Sequence, residues 1–290
     1  MKPTILEHLT NLATQAALKA GKYIAESSQQ EIAVMYKAGG DSLASQVVTE
    51  VDGKAQEIIL QILKPSFADH DIALLAEETD DDGSRLKKEY FWCIDPLDGT
   101  LPFTIGKPGY AVSIALIRRD GIPVLGVIYD PVTQRLFSAA LGKGVYINDK
   151  LWTSPIPTDS DCLNICFDCS FEMDSQRTEI TQQMEAFVKE QGFARANIVV
   201  GGGAVLNACY VLGHPPAIYF KPPKEKLGGG SLWDFGATTC LFNEAGAHAR
   251  DFSGNALKLN EPGSTFMDHC GVCFSTSSDL AMALKDFISR

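Results

Sequence analysis

The sequence predicts an α/β protein, α+β in its first half: a large antiparallel sheet with packed helices, followed by a smaller C-terminal layer of alternating strands and helices. Three observations carry this reading. Two stretches before residue 65 space their apolar residues as helices do, residues 72–147 read as strand after strand, and beyond residue 160 strands and helices alternate. At 290 residues the chain exceeds the usual single-domain size. The Pro- and Ser-rich stretch Thr153–Ser160 is the expected joint, giving domains of residues 1–152 and 153–290.

Residues 4–28 place Ile5, Leu9, Leu12 and Ala16 on one helical face, with Ala20, Tyr23 and Ile24 continuing it. A strand is expected over Glu31–Lys37, then a polar loop Ala38–Gln46. Thr49-Glu50-Val51-Asp52 resembles a capping box, in which the first hydroxyl and the last carboxylate satisfy each other's backbone amides. The helix it opens carries Ile58, Ile59, Ile62 and Leu63, and Pro65 is expected to end it. Tyr110–Arg118 and Ile122–Tyr129 are apolar, strand-like runs joined by Asp120-Gly121, a hairpin signature. Gln134–Ala140 and Val145–Ile147 extend the same sheet to a turn at Asn148-Asp149. In the second half, strands are expected near residues 162–168, 195–200, 216–221 and 271–275, with helices at 175–191, 203–212, 232–246 and 278–288.

A formal charge of −11 argues against nucleic acid as a macromolecular partner, because phosphate backbones are bound through an excess of Lys and Arg. A small phosphorylated substrate stays open, since bound metal ions invert the local field. Met1–His8 lacks the apolar core of a signal peptide, and no apolar run approaches the ~20 residues of a membrane span. A soluble, cytoplasmic protein with no membrane partner is expected. Two pairs among the eight cysteines, Cys166/Cys169 and Cys270/Cys273, have zinc-like spacing. On an extended strand positions i and i+3 face opposite sides, so reduced, structural thiols are expected instead.

The chemistry concentrates where apolar strands stop. Phe91, Trp92 and Ile94 read as a buried strand that ends at Asp95, with Asp98, Gly99 and Thr100 following at once. Asp and Gly are ordinary turn residues. However, Glu77 and Glu78 also follow an expected strand, Leu74-Leu75-Ala76, and clustered carboxylates repel one another unless a cation pairs them. The favoured reading is a Mg²⁺ site in which Asp95 bridges two ions, Glu77 and the Leu97 carbonyl hold one, and Asp98 holds the other. Adjacent residues of an extended chain point apart, so Glu77 is taken as the ligand and Glu78 as a supporting group. Asp234 sits in the first turn of a helix with Ser231 as its expected N-cap, where an acid serves equally well as a dipole partner.

Gly99 and Thr100 open a short helix whose amides can face a phosphate, and the Gly201-Gly202-Gly203 turn before another helix offers the same. Neither is a P-loop, because the Gly-Lys-Ser/Thr ending is missing. Lys221, Lys224 and Lys226 are either a solvated loop or a contact for a second phosphate. The five histidines form no spaced metal motif.

Glu77-Glu78, Asp95-Pro96-Leu97-Asp98-Gly99-Thr100 and Trp233-Asp234 together resemble the inositol monophosphatase superfamily of Mg²⁺-dependent, lithium-sensitive phosphatases. Val47-Val48-Thr49, Gly142-Lys143-Gly144-Val145-Tyr146 and Gly202-Gly203-Ala204-Val205-Leu206-Asn207 extend the resemblance over most of residues 1–275. The resemblance implies an αβαβα sandwich of two domains with the active site where they meet. It implies two or three Mg²⁺ held by Glu77, Asp95, Asp98, Asp234 and the Leu97 carbonyl. Thr100, with Glu77 or Asp52, would orient and deprotonate the attacking water, and the Gly99 and Thr100 amides would hold the phosphate. Dimers are common in the family, so a homodimer is implied as well.

Two departures bear on substrate. Inositol-hydrolysing members carry a polyol-contacting Glu before Trp-Asp, where this chain reads Tyr219-Phe220-Lys221-Pro222-Pro223-Lys224. Gly203 stands where many members have a hydroxyl residue. Losing an acid and gaining lysines leans toward a 3′(2′),5′-bisphosphate nucleotide, with an inositol monophosphate as the alternative. A haloacid-dehalogenase-like phosphatase would need Asp-x-Asp, whereas the spacing here is Asp-x-x-Asp. A non-catalytic metal- or nucleotide-binding protein on the same fold is the rival of a different class.

Overall fold

Helix α1 spans Pro3–Ser27 and helix α2 Glu50–Asp69, and both lay an apolar face on the same side of a seven-stranded sheet. The structure, a computed structural model, describes residues 1–29, 34–36, 47–157 and 159–290. Of the strand expected over Glu31–Lys37, Val34–Tyr36 (β1) is described and pairs antiparallel with Val47–Thr49 (β2). The rest of that strand, the loop Ala38–Gln46 and Thr158 of the expected joint lie outside the described residues.

The capping box opens α2: the Thr49 amide donates to Asp52 Oδ2 at 2.8 Å and the Val51 amide to Thr49 Oγ1 at 3.2 Å. Pro65 does not end this helix, contrary to expectation, but lies inside it. Proline costs the helix one amide hydrogen bond and crowds the carbonyl four residues back, and Ser66 holds the turn that follows. The Ser66 hydroxyl donates to the Leu63 carbonyl at 2.6 Å and accepts from the buried Trp92 indole at 2.9 Å.

The large sheet runs in order β3 (Ala73–Ala76), β4 (Tyr90–Asp98), β5 (Ala111–Arg118), β6 (Pro123–Asp130), β7 (Arg135–Ala140), β8 (Val145–Ile147) and β9 (Lys150–Leu151). Its pairings are antiparallel except at one edge, where β3 runs parallel to β4. The connection from β3 crosses back through a short 3₁₀ turn at Ser84–Leu86, which local alternation does not reveal. The expected turn at Asn148-Asp149 has both residues at positive φ (47° and 62°), the conformation a two-residue hairpin requires.

The second sheet has order β11-β10-β12-β14-β13, built from β10 (Cys162–Asp168), β11 (Arg195–Gly202), β12 (Ala217–Lys221), β13 (His248–Arg250) and β14 (Val272–Ser275). Helix α3 is the short Thr100–Thr104, followed in chain order by α4 (Arg177–Glu190), α5 (Ala204–Gly213), α6 (Leu232–Ala245) and α7 (Ser278–Ile288). Three cores separate the layers. Leu9, Ile24, Ile59, Trp92 and Ile94 fill the space between α1/α2 and the large sheet. Phe91, Cys93, Val205, Phe235 and Phe274 fill the middle, where α5 and α6 lie between the sheets. Phe187, Ile218, Phe220 and Leu284 pack α4 and α7 on the outer face. The result is an αβαβα sandwich. All eight cysteines are free thiols; Cys270 lies in the turn before β14 and packs on the middle core, whereas Cys273 on β14 belongs to the outer one. No helix among the described residues is long and apolar enough to cross a membrane.

Candidate active site

Strand β4 sends alternate residues to opposite cores: Trp92 and Ile94 toward α1/α2, Phe91 and Cys93 toward the middle helices. Period two therefore aims Asp95 at the middle layer. There the ladder with β5 breaks: Asp95 faces Ser113 and Asp98 faces Ala111, with a bulge between. Proline at 96 has no amide to give a ladder, and such a bulge re-aims side chains at a site. The Leu97 amide donates to Asp95 Oδ1 at 2.9 Å, and the Leu97 carbonyl accepts from Thr100 Oγ1 at 3.0 Å.

Asp234 arrives on the first turn of α6. Ser231 caps that helix, its amide donating to Asp234 Oδ2 at 2.9 Å, and Ser113 Oγ on β5 donates to the Trp233 carbonyl at 3.2 Å. Asp95, Asp98 and Asp234 each bring an oxygen within 4.8 Å of the other two. Asp95 and Asp98 are buried and Asp234 is partly so. Burial first, then the Glu77, Asp98 and Asp234 charges, push Asp95 well above the ordinary carboxylate range. Burial and Asp234 do the same to Asp98, against the pull of the Val205 amide. Burial raises Asp234, with Lys221 and the Ser231 amide opposing. Three oxygen donors that repel one another, held apart from water, suit a hard dication.

Glu77 lines the same cleft and hydrogen-bonds Asp95. The Glu78 amide donates to Gln56 Oε1 at 3.0 Å, and the Glu78 charge acts on Asp52. Asp52 is buried beneath Thr100, whose hydroxyl lies 3.1 Å from Asp52 Oδ1. Burial raises Asp52 above the usual carboxylate range, and hydrogen bonds from Thr49 oppose it.

Asp98 has a second role that local sequence did not suggest. Its Oδ1 accepts the Ala204 amide at 3.1 Å and its Oδ2 the Val205 amide at 3.0 Å, capping the N-terminus of α5. The Gly203 amide goes to the Gly109 carbonyl at 2.8 Å. The Gly202-Gly203 turn therefore does not offer these amides to a phosphate, as the turn alone suggested; they are taken by Asp98 and Gly109. Both glycines still line the cleft. Gly99 holds φ 83°, a left-handed conformation that suits glycine, where the chain turns from β4 into α3.

Lys221, at the end of β12, pairs with Asp168 at 2.6 Å. Burial pulls its ammonium down, but Asp168, Asp234 and Asp98 together hold it above its ordinary value. Asp168 Oδ1 also accepts from Tyr219 OH at 2.8 Å and Asn207 Nδ2 at 3.0 Å. Asp168 was missed in the sequence, although it ends the apolar strand Cys162–Asp168 just as Asp95 follows Ile94.

The chain belongs to the inositol monophosphatase family, whose sequence model matches residues 5–287. Members are in general Mg²⁺-dependent phosphatases, and this chain is accordingly a phosphoric monoester hydrolase. A relative called Nus factor SuhB, from Vibrio cholerae, is 33% identical over 253 residues, covering 85% of this chain and 86% of the relative. Inositol monophosphatase 1 of Solanum lycopersicum is 29% identical, covering 88% of each chain. A solved IMPase of Thermotoga maritima superposes with a TM-score of 0.72 at 22% identity, covering 96% of this chain and 97% of that one.

Proposed function

We propose that the protein hydrolyses a small phosphomonoester with two or three Mg²⁺ held by Glu77, Asp95, the Leu97 carbonyl, Asp98 and Asp234. The observation that carries this is the convergence of Asp95, Asp98 and Asp234 oxygens within 4.8 Å beside the Thr100–Asp52 pair. When bound, Mg²⁺ supplies Lewis acidity to the phosphoryl oxygens and lowers the pKa of the attacking water. The protein does the rest. Thr100 Oγ1 orients that water, and its contact with Asp52 Oδ1 gives the released proton a carboxylate to reach. Burial leaves Asp52 a stronger base than a solvated carboxylate. Glu77, beside Asp95, is the other acceptor for that proton. The Gly99 and Thr100 amides hold the phosphate, Gly202 and Gly203 wall its far side, and Glu78 supports Asp52 through charge.

We keep residues 1–152 and 153–290 as two domains, with Asp95 and Asp98 coming from the first and Asp234 from the second. The substrate we favour is a 3′(2′),5′-bisphosphate nucleotide, because Lys221 brings a cation to the cleft. The second reading is an inositol monophosphate; the Asp168 carboxylate on Lys221 favours it by partly cancelling that charge. The name Nus factor belongs to the relatives, and a formal charge of −11 keeps nucleic acid outside our reading of this chain. A homodimer is carried from the family resemblance.

The test is phosphate release with Mg²⁺ from 3′-phosphoadenosine 5′-phosphate and inositol 1-phosphate in parallel, with and without lithium. Preference for the nucleotide supports the bisphosphate reading, and preference for the inositol ester replaces it with the second. Lithium inhibition is expected in either case. Release from no phosphomonoester would sink the phosphatase assignment.

A further inference from the structure

The cleft of about 790 Å³ that holds the three acids does not end at them. Lys221 stands near enough to Asp98 and Asp234 for their charges to act on it, and Asp168 is paired to it. The next residues back along those strands are Phe220 and Phe167. Neighbours in a strand point to opposite faces. Lys221 and Asp168 thus face the acids while Phe220 and Phe167 face away, and the cleft bends around the C-terminal ends of β10 and β12. Past the bend it is lined by Phe167, Phe171, Phe220, Ile180 and Met184.

The rings there are ordered. Phe167 stacks on Phe171 with centroids 4.2 Å apart and planes 14° from parallel, and Phe220 meets Phe167 edge-on at 5.7 Å. Phe171 and Phe220 are buried, whereas Phe167 keeps part of its surface open. Core packing alone accounts for the buried pair. Phe167 packs against the same core, yet it leaves part of its surface in the cleft that holds the acids. A polyol brought against these rings would lose water from its hydroxyls without replacement hydrogen bonds. A planar heteroaromatic ring presents a face that stacks.

Building on the phosphatase reading above, we infer that Phe167, backed by Phe171 and Phe220, forms a subsite for a nucleobase carried by the leaving group. The phosphate then lies at the acids, the Lys221–Asp168 pair faces the ribose, and the base turns the corner onto Phe167.

The test is an NMR titration of the Mg²⁺-loaded full chain with adenosine and with ribose, neither of which can be hydrolysed. Adenosine is expected to bind more tightly than ribose. Phe167→Leu, which keeps apolar bulk but loses the planar face, and Phe167→Ala should weaken adenosine about 5- to 100-fold, while Phe167→Trp restores it. Equal binding of adenosine and ribose, or unchanged adenosine affinity in the folded Leu and Ala variants, would overturn the subsite. Phosphate release from adenosine 3′-phosphate and ribose 5-phosphate separates the two readings. Turnover without preference for the base sinks the subsite alone. Adenosine binding through Phe167 without turnover of any ester sinks the phosphatase reading and keeps the subsite.

Discussion

Gly203 and Asp98 occupy one space: a Cβ at position 203 would overlap the Asp98 carboxylate, which accepts the Ala204 and Val205 amides at 3.1 and 3.0 Å. The φ of −71° at Gly203 suits any residue, so room and not backbone freedom calls for glycine. The acid from the end of β4 is held by the helix dipole of α5, more than a hundred residues away. Gly203→Ala should therefore displace Asp98 and weaken Mg²⁺ binding about 10- to 100-fold, the effect of disturbing a ligand's supporting contacts. Calorimetric titration with Mg²⁺ checks this, and an unchanged isotherm would contradict it.

The Thr100–Asp52 contact predicts a paired loss of rate. Thr100→Val and Asp52→Asn should each lower kcat about 10²- to 10⁴-fold, with Thr100→Ser close to native. Because burial raises Asp52 above the ordinary 3.8, the acid limb of the native kcat/KM profile should lie above that value. That limb should shift or vanish in Asp52→Asn.

The three site carboxylates should contribute less to the stability of the metal-free protein as pH rises. Asp95, Asp98 and Asp234 are all raised from 3.8, so the folded state binds protons more tightly than the unfolded chain. A raised group stabilises fully below its unfolded value and loses that contribution as pH climbs through its folded value. Mg²⁺ replaces those protons. The Tm gain on adding Mg²⁺ should grow as pH climbs above the ordinary carboxylate value of 3.8, and taking the difference cancels groups remote from the site. A gain that is flat or falls with pH would contradict the assignment.

Ser66→Ala tests the fold apart from the chemistry. It leaves the buried Trp92 indole without its 2.9 Å partner and should lower unfolding free energy by about 1–3 kcal/mol in a urea titration.

Local signals made most elements readable. The Thr49–Asp52 box, the Asp120-Gly121 hairpin and the alternation along β4 each act within a few residues, and the fold keeps them. Pro65 misled because Trp92 on another element secures Ser66 in the turn after it. The parallel edge strand β3 depends on a crossover that alternation does not encode. The individual acids could be named because each ends an apolar strand or begins a helix. Their convergence, the transfer of the α5 amides to Asp98 and the Asp168 hub on Lys221 are tertiary facts.

The most direct measurement is phosphate release by metal-stripped protein as Mg²⁺ is added, comparing the native chain with Asp95→Asn. Native release should be absent without metal and appear with it. The variant should fall by about 10³-fold or more, since several kcal/mol of transition-state stabilisation depend on the held ion. It should also fold at least as stably as native without metal, because one mutually repelling buried charge is gone. Release that persists in stripped protein, or survives in Asp95→Asn, would contradict a metal centre built on these carboxylates.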